Sequence, residues 1–256
     1  MLVKELFELT GKVAIVTGGG RGLGKQIATG FAEAGADVVV CSRNIESCRE
    51  VSESLKKLGV KSLALACDVS NQESVKEVIK QTMETFGKID ILVNNSGASW
   101  GMSVEEMPLE AWEKVMKVNV TGTFLMSQEA GKVMLQQGAG KIINIASVAG
   151  LKGSSTEELN AIGYSTSKGA VVTFTKDLAV KWGARGIQVN AIAPGFFPTK
   201  MSKGVLETNG DTILRGTPLG RYGSNDDLKG AAVFLASPAA DYITGIVLPV
   251  DGGMSA

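Results

Sequence analysis

A chain of 256 residues in which 26 Lys and Arg balance 26 Asp and Glu can bury one large core, and it carries no basic block for nucleic acid or a membrane surface. It contains no histidine, which excludes Ser-His-Asp and Cys-His triads, histidine-bound zinc and imidazole acid/base catalysis. Protons must move through Tyr, Lys, Asp, Glu or Cys, no metal site is predicted, and the expected partners are small molecules and copies of the same chain. Cys41, Cys48 and Cys67 form no CxxC pair, and MLVKELFELTGK lacks the apolar core of a signal peptide, which points to the reducing cytoplasm. No uncharged apolar run reaches the roughly 20 residues that a membrane-spanning helix needs.

Along the chain, short apolar runs alternate with helix-period segments, the pattern of βαβ units around a parallel sheet. The first run, Lys12 to Thr17, opens into TGGGRGLG, in which Gly18, Gly22 and Gly24 end a strand and begin a helix. Glycines there let the backbone approach a pyrophosphate, which helix N–H groups, including that of Leu23, then bind; they would also suit a turn that only packs helix on strand. The second run, Ala36 to Cys41, ends at Ser42 and Arg43. An acid at that place would bind ribose hydroxyls, whereas a cation accommodates a 2′-phosphate. Asp37 begins the strand, roughly 16 Å away at about 3.3 Å per residue. Arg43, with Arg21 in the glycine turn, therefore favours NADP(H) over NAD(H), unless both arginines are simply solvated.

Five more runs follow: Ser62 to Cys67, Ile89 to Asn95, Lys141 to Ser147, Ile187 to Ala193 and Gly245 to Val250. That makes about seven strands. NIESCREVSESLKKLG and NQESVKEVIKQTMETFG each open on Asn and close at Gly, as helix caps predict. No linker or repeat interrupts the series, so residues 1–256 are expected to be one domain. Pro194 to Gly223 shows no clear period, and its centre KGVLETNGDT reads as mobile; it is expected to be a lid, with Phe196, Phe197, Met201 and Val205 as apolar wall.

The motifs TGxxxGxG, CDVS with Asp68 and Val69, NNSG with Asn95 and Gly97, NVTG with Asn119, IAS ending at Ser147, YSTSK with Tyr164 and Lys168, and APGFFPT with Pro194, Gly195 and Thr199 stand in order along nearly the whole chain. In that order the sequence resembles the short-chain dehydrogenase/reductase family. The resemblance implies a Rossmann-like, doubly wound parallel sheet with helices on both faces. It also implies contacts to adenine by Asp68, substrate carbonyl binding by Ser147, and a water anchored by Asn119 that connects Lys168 to solvent.

Tyr164 and Lys168 share a helix face at i and i+4, so the ammonium is expected beside the phenol, lowering its pKa from near 10 and replacing the missing histidine. The predicted activity is reduction of a ketone by NADPH, or the reverse. A 3-oxoacyl thioester is placed first and a sugar acid or polyol second, after likenesses to 3-oxoacyl reductases and gluconate 5-dehydrogenases. A non-catalytic NADP(H) sensor is the remote alternative. The segment VAGLKGSSTEELNAIG is a few residues longer than is common in the family and borders the substrate site. Trp112, Val115, Phe124, Met126, Val172, Phe174 and Leu178 read as a second apolar stripe, and with the resemblance they imply a homotetramer.

Overall fold

The computed structural model describes residues 1–256. All seven predicted runs are strands: β1 (Val13–Thr17), β2 (Asp37–Ser42), β3 (Ser62–Ala66), β4 (Ile91–Asn94), β5 (Gly140–Ile145), β6 (Ile187–Pro194) and β7 (Val247–Val250). Their ends move by one or two residues, because the hydrogen-bond ladder sets them and the apolar pattern does not report it. Eight α-helices connect or follow them: α1 (Gly22–Glu33), α2 (Ile45–Lys56), α3 (Gln72–Phe86), α4 (Leu109–Met116), α5 (Gly122–Gln137), α6 (Ile162–Gly183), α7 (Lys203–Arg215) and α8 (Lys229–Ala236).

The strands are parallel and lie in the order β3-β2-β1-β4-β5-β6-β7. Successive strand residues point to opposite faces. Ala14, Val38, Val93 and Ile143 are therefore buried against Phe31 of α1, Leu55 of α2 and Leu235 of α8, whereas Ile15, Val39, Leu92 and Ile142 are buried against Val78 of α3, Met134 of α5 and Leu178 of α6. Covering both faces is what makes the strands read as unbroken apolar runs. The chain leaves β1 and β4, which are neighbours, toward opposite faces, so a crevice opens at their C-terminal ends.

Asn44 and Asn71 cap α2 and α3, their side chains accepting the N–H of Ser47 at 3.2 Å and of Ser74 at 2.9 Å. Gly87 ends α3 at a φ of 77°, as predicted. The other predicted closing glycine, Gly59, lies three residues beyond the end of α2 at Lys56, at a φ of 90°.

The centre of the predicted lid differs from expectation: KGVLETNGDT lies within α7. Thr208, Asn209 and Gly210 weaken the helical signal. Burial of Ile213 anchors the helix, and the Ser202 hydroxyl closes the preceding turn by donating to the Phe197 carbonyl at 2.5 Å. The expected second apolar stripe is narrower than the sequence suggests, because Val115, Met126 and Leu178 belong to the core. Phe124 is exposed, together with Leu109 and Val180. No helix is long and apolar enough to cross a membrane.

Candidate active site

The turn after β1 holds Gly18 at a φ of 64° and Gly22 at 54°, backbone that favours glycine. A Cβ on Gly24 would strike the Gly18 carbonyl and the Asn95 amide, so the third glycine is what lets α1 close on the turn. Arg21, the N-cap of α1, supplies no side-chain cap, in contrast to the asparagines of α2 and α3. The first-turn N–H groups of α1, including that of Leu23, are left for an anion, which the positive end of the helix favours. This cradle fits the pyrophosphate of a dinucleotide.

At the end of β2 the Ser42 hydroxyl donates to the Asn44 carbonyl at 3.0 Å, and Arg43 is exposed beside it. Asp37 stands at the far end of the strand and accepts the Lys61 N–H at 2.7 Å. After β3, Asp68 accepts the Ser70 hydroxyl at 2.7 Å and the Ser70 N–H at 2.9 Å. These bonds, with the charges of Arg43 and Lys117, hold its carboxyl below the usual range. Val69 is buried against Gly122. Asn95 joins β4 to β1: its N–H donates to the Thr17 hydroxyl and its amide to the Thr17 carbonyl, both at 2.9 Å. After Pro194, a Cβ on Gly195 would lie 2.8 Å from Asp251 Cα, and one on Gly22 would lie 3.5 Å from Thr199 Cγ2. The chain leaving β6 thus reaches both the C-terminal run and the glycine turn.

Ser147 follows β5 and is buried, its hydroxyl oxygen accepting the Ala149 N–H at 3.2 Å. Tyr164 and Lys168 lie one turn apart on α6. The buried Lys168 ammonium donates to the Ile145 carbonyl at 2.6 Å and sits 5.6 Å from the Tyr164 ring centroid. Burial pushes its pKa down to about 8. Burial also pushes the Tyr164 phenol up, and the Ser147 hydroxyl offsets part of that rise. The sequence expectation of a lowered phenol pKa is therefore corrected: the ammonium is engaged by Ile145, and desolvation dominates at the phenol.

Asn119 lies in a single π-helical turn, Lys117–Thr121, between α4 and α5. Such an inserted residue re-aims a helix locally. Its side-chain oxygen accepts the Ala98 N–H at 2.7 Å, and its amide donates to the Ala98 carbonyl at 2.9 Å and the Ser167 hydroxyl at 2.8 Å. Ser167 in turn donates to the Tyr164 carbonyl at 2.7 Å. A Cβ on Gly97 would lie 3.6 Å from the Asn119 oxygen and 3.9 Å from the Lys168 nitrogen. Gly97 therefore lies beside both the Asn119 side chain and the Lys168 ammonium.

The sequence pointed to neither Thr17 nor Ser167 as a site residue, although both stand inside quoted motifs; a small hydroxyl at a strand end or between Tyr and Lys was the available signal. Phe197, predicted as pocket wall, is largely buried in the core with its ring against Gly223, yet it also lines a cavity there. Phe196 lines that cavity, of about 450 Å³, as well, with Thr217, Leu219 and Asp251–Gly253. In the segment after β4, Met102 forms a parallel bridge with Ala161 and donates its N–H to the Asn160 carbonyl at 3.0 Å. Lys152 donates to the Met254 carbonyl at 2.9 Å.

A glycine turn at the switch point of a doubly wound sheet places this molecule among the dinucleotide-binding oxidoreductases. The family model described as enoyl-(acyl carrier protein) reductase matches residues 18–255. The chain belongs to the short-chain dehydrogenase/reductase family. It is 42% identical to the 2-dehydro-3-deoxy-D-gluconate 5-dehydrogenase of Pseudoalteromonas atlantica, over 97% of this chain and 98% of that protein. It is 41% identical to a 3-oxoacyl-[acyl-carrier-protein] reductase of Synechocystis, over 96% and 98%. Among solved structures it is similar to a gluconate 5-dehydrogenase from Burkholderia cenocepacia in complex with NADP and tartrate, with a TM-score of 0.94, 36% identity and 99% of each chain covered.

Proposed function

We propose that this oxidoreductase interconverts a ketone and a secondary alcohol of a sugar acid with NADP(H), as a dehydrogenase of the gluconate type. The observation that carries the substrate class is the 42% likeness to a 2-dehydro-3-deoxy-D-gluconate 5-dehydrogenase over nearly the whole of both chains. The structural likeness to a gluconate 5-dehydrogenase complexed with NADP and tartrate supports both substrate and cofactor. A 3-oxoacyl thioester is the second reading, favoured by the 41% likeness to the Synechocystis reductase.

In this reading Gly18, Arg21, Gly22, Leu23 and Gly24 hold the pyrophosphate, Ser42 and Arg43 the 2′-phosphate, and Asp68 and Val69 the adenine. Asn95, Gly97, Tyr164, Lys168, Pro194, Gly195 and Thr199 border the nicotinamide half. When bound, the nicotinamide supplies or accepts the hydride. Ser147 donates a hydrogen bond to the substrate oxygen, where negative charge develops. Tyr164, protonated at neutral pH as an ordinary phenol is, its pKa pushed further up by burial, gives that oxygen its proton. Lys168 is mostly cationic at pH 7 and stabilises the phenolate left behind. Asn119 anchors a water that returns the proton from solvent. Residues 194–223, α7 included, form the lid, and α4, α5 and α6 pair copies of the chain into a tetramer.

The test is turnover of 5-keto-D-gluconate and acetoacetyl-CoA by purified protein with NADPH. A higher kcat/KM for 5-keto-D-gluconate is expected. Preference for the thioester would overturn the substrate class, and inactivity on both would overturn both readings.

A further inference from the structure

Beneath the site, four buried polar side chains from four elements form one chain. Asn94 of β4 donates its two amide hydrogens to the Ser127 hydroxyl of α5 and to the side-chain oxygen of Asn144 of β5, both at 2.9 Å. Asn144 donates to the Thr175 hydroxyl of α6 at 2.9 Å, and Thr175 donates to the Val171 carbonyl at 2.8 Å. Each link fixes the next. Because Thr175 spends its hydrogen on Val171, it can only accept from Asn144. Because the Asn144 oxygen is taken by Asn94, its amide must point at Thr175.

Burying polar groups is costly unless they are bonded, and the Asn94 side-chain oxygen has no partner at all. Apolar residues could fill this space at less cost. What they could not supply is a set of directed bonds that ties one position of α6 to one position of β5.

The position that is fixed bears on the chemistry. Thr175 lies seven residues after Lys168, two helical turns along the same face. Asn144 directly precedes Ile145, whose carbonyl receives the Lys168 ammonium. Two consecutive residues of β5 therefore hold α6 at two points, one through a side chain and one through the main chain. We propose that Asn144 and Thr175 are positioning residues: their hydrogen bond sets the register of α6 against β5 and so aims Tyr164 at the substrate oxygen beside Ser147. This rests on the proposed role of Tyr164 as proton donor, not on the identity of the ketone.

The experiment measures NADPH-dependent reduction of 5-keto-D-gluconate, or of acetoacetyl-CoA if only that is turned over, by Thr175→Val, Thr175→Ser and Tyr164→Phe. Thr175→Val keeps the side-chain shape and deletes the acceptor. Its kcat is expected to fall at least tenfold with KM and NADPH affinity within twofold, while Thr175→Ser stays within twofold of the parent. If Thr175→Val does not fold, Thr175→Cys replaces it, with the same fall expected because sulfur is a weak acceptor. A folded Val or Cys variant with kcat within twofold of the parent would overturn the register proposal, as would a Ser variant as slow as the Val one. Full activity in Tyr164→Phe would overturn the site reading beneath it. An inactive Tyr164→Phe beside a fully active Thr175→Val would overturn the register proposal alone.

Discussion

The Lys168 ammonium donates to the Ile145 carbonyl and pairs with no carboxylate. A cation buried against one neutral acceptor gives up its proton early, and its pKa of about 8 expresses that cost. The folded chain therefore binds fewer protons here than the unfolded chain, whose lysine titrates near 10.5. Where the unfolded state binds more protons, stability rises with pH. Relative to Lys168→Met, the parent is expected to gain stability between pH 8 and pH 10.5, as read by denaturant midpoints across that range. Ketone reduction should fall over the same interval as the cation is lost, and an activity flat to pH 10 would contradict its role.

Tyr164→Phe is expected to lower turnover by about 10²-fold or more, the usual loss for a general acid. NADPH affinity should hardly change, because the phenol is not part of the phosphate cradle. Single-turnover kinetics together with a fluorescence titration of NADPH separate the two effects.

If Arg43 binds the 2′-phosphate as proposed, Arg43→Asp exchanges a charge-assisted bond for repulsion and is expected to weaken NADPH binding by about 2 kcal/mol. The quantity to measure is the ratio of kcat/KM with NADPH to that with NADH. A parent enzyme that prefers NADH would show that Arg43 serves only as a solvated surface charge.

Leu109, Phe124 and Val180 remain exposed on α4, α5 and α6 although Val115, Met126 and Leu178 on the same helices are buried. Light scattering is expected to give four copies, and Phe124→Glu should lower that number. A monomer at every concentration would remove the tetramer.

Asp251 closes the C-terminal run, accepting the Gly253 N–H at 2.9 Å, the Ser255 N–H at 2.8 Å and the Ser255 hydroxyl at 2.6 Å. Burial raises its pKa, but these bonds outweigh burial and leave it lowered. Its stabilisation is present above the ordinary carboxylate pKa and is lost as pH falls through the lowered one. Asp251→Asn replaces one acceptor by a donor and is expected to cost about 1–3 kcal/mol at neutral pH. Thermal melts at pH 7 and pH 3 should show a loss that shrinks in acid.

The seven strands were legible because both faces of the sheet are covered, so that even Val39 and Val40, which point opposite ways, are both apolar and buried. The Tyr164 and Lys168 pair was legible from helical spacing together with the order of the motifs around it. The helix α7 was not, since Thr208, Asn209 and Gly210 mask its period and little of it is buried. That Phe197 packs its ring on Gly223 was not legible, because only the partner surface decides how deeply each of two adjacent aromatics turns inward. The direction of the phenol shift depends on competition between desolvation and a nearby charge, and spacing reports only the charge. The polar chain through Asn94, Asn144 and Thr175 joins residues 50 and 31 positions apart, and such pairings leave no periodic trace.

The bridge between Met102 and Ala161 ties the segment after β4 to the segment before α6. The bridge couples these two stretches, so neither can change length or course without the other. Grafting only residues 148–160 from a relative with a different appetite would leave the Met102 N–H searching for its acceptor and the two stretches misfitted. A transplant that carries both stretches together keeps the seam closed, and it is as such a matched pair that a new specificity would be inherited.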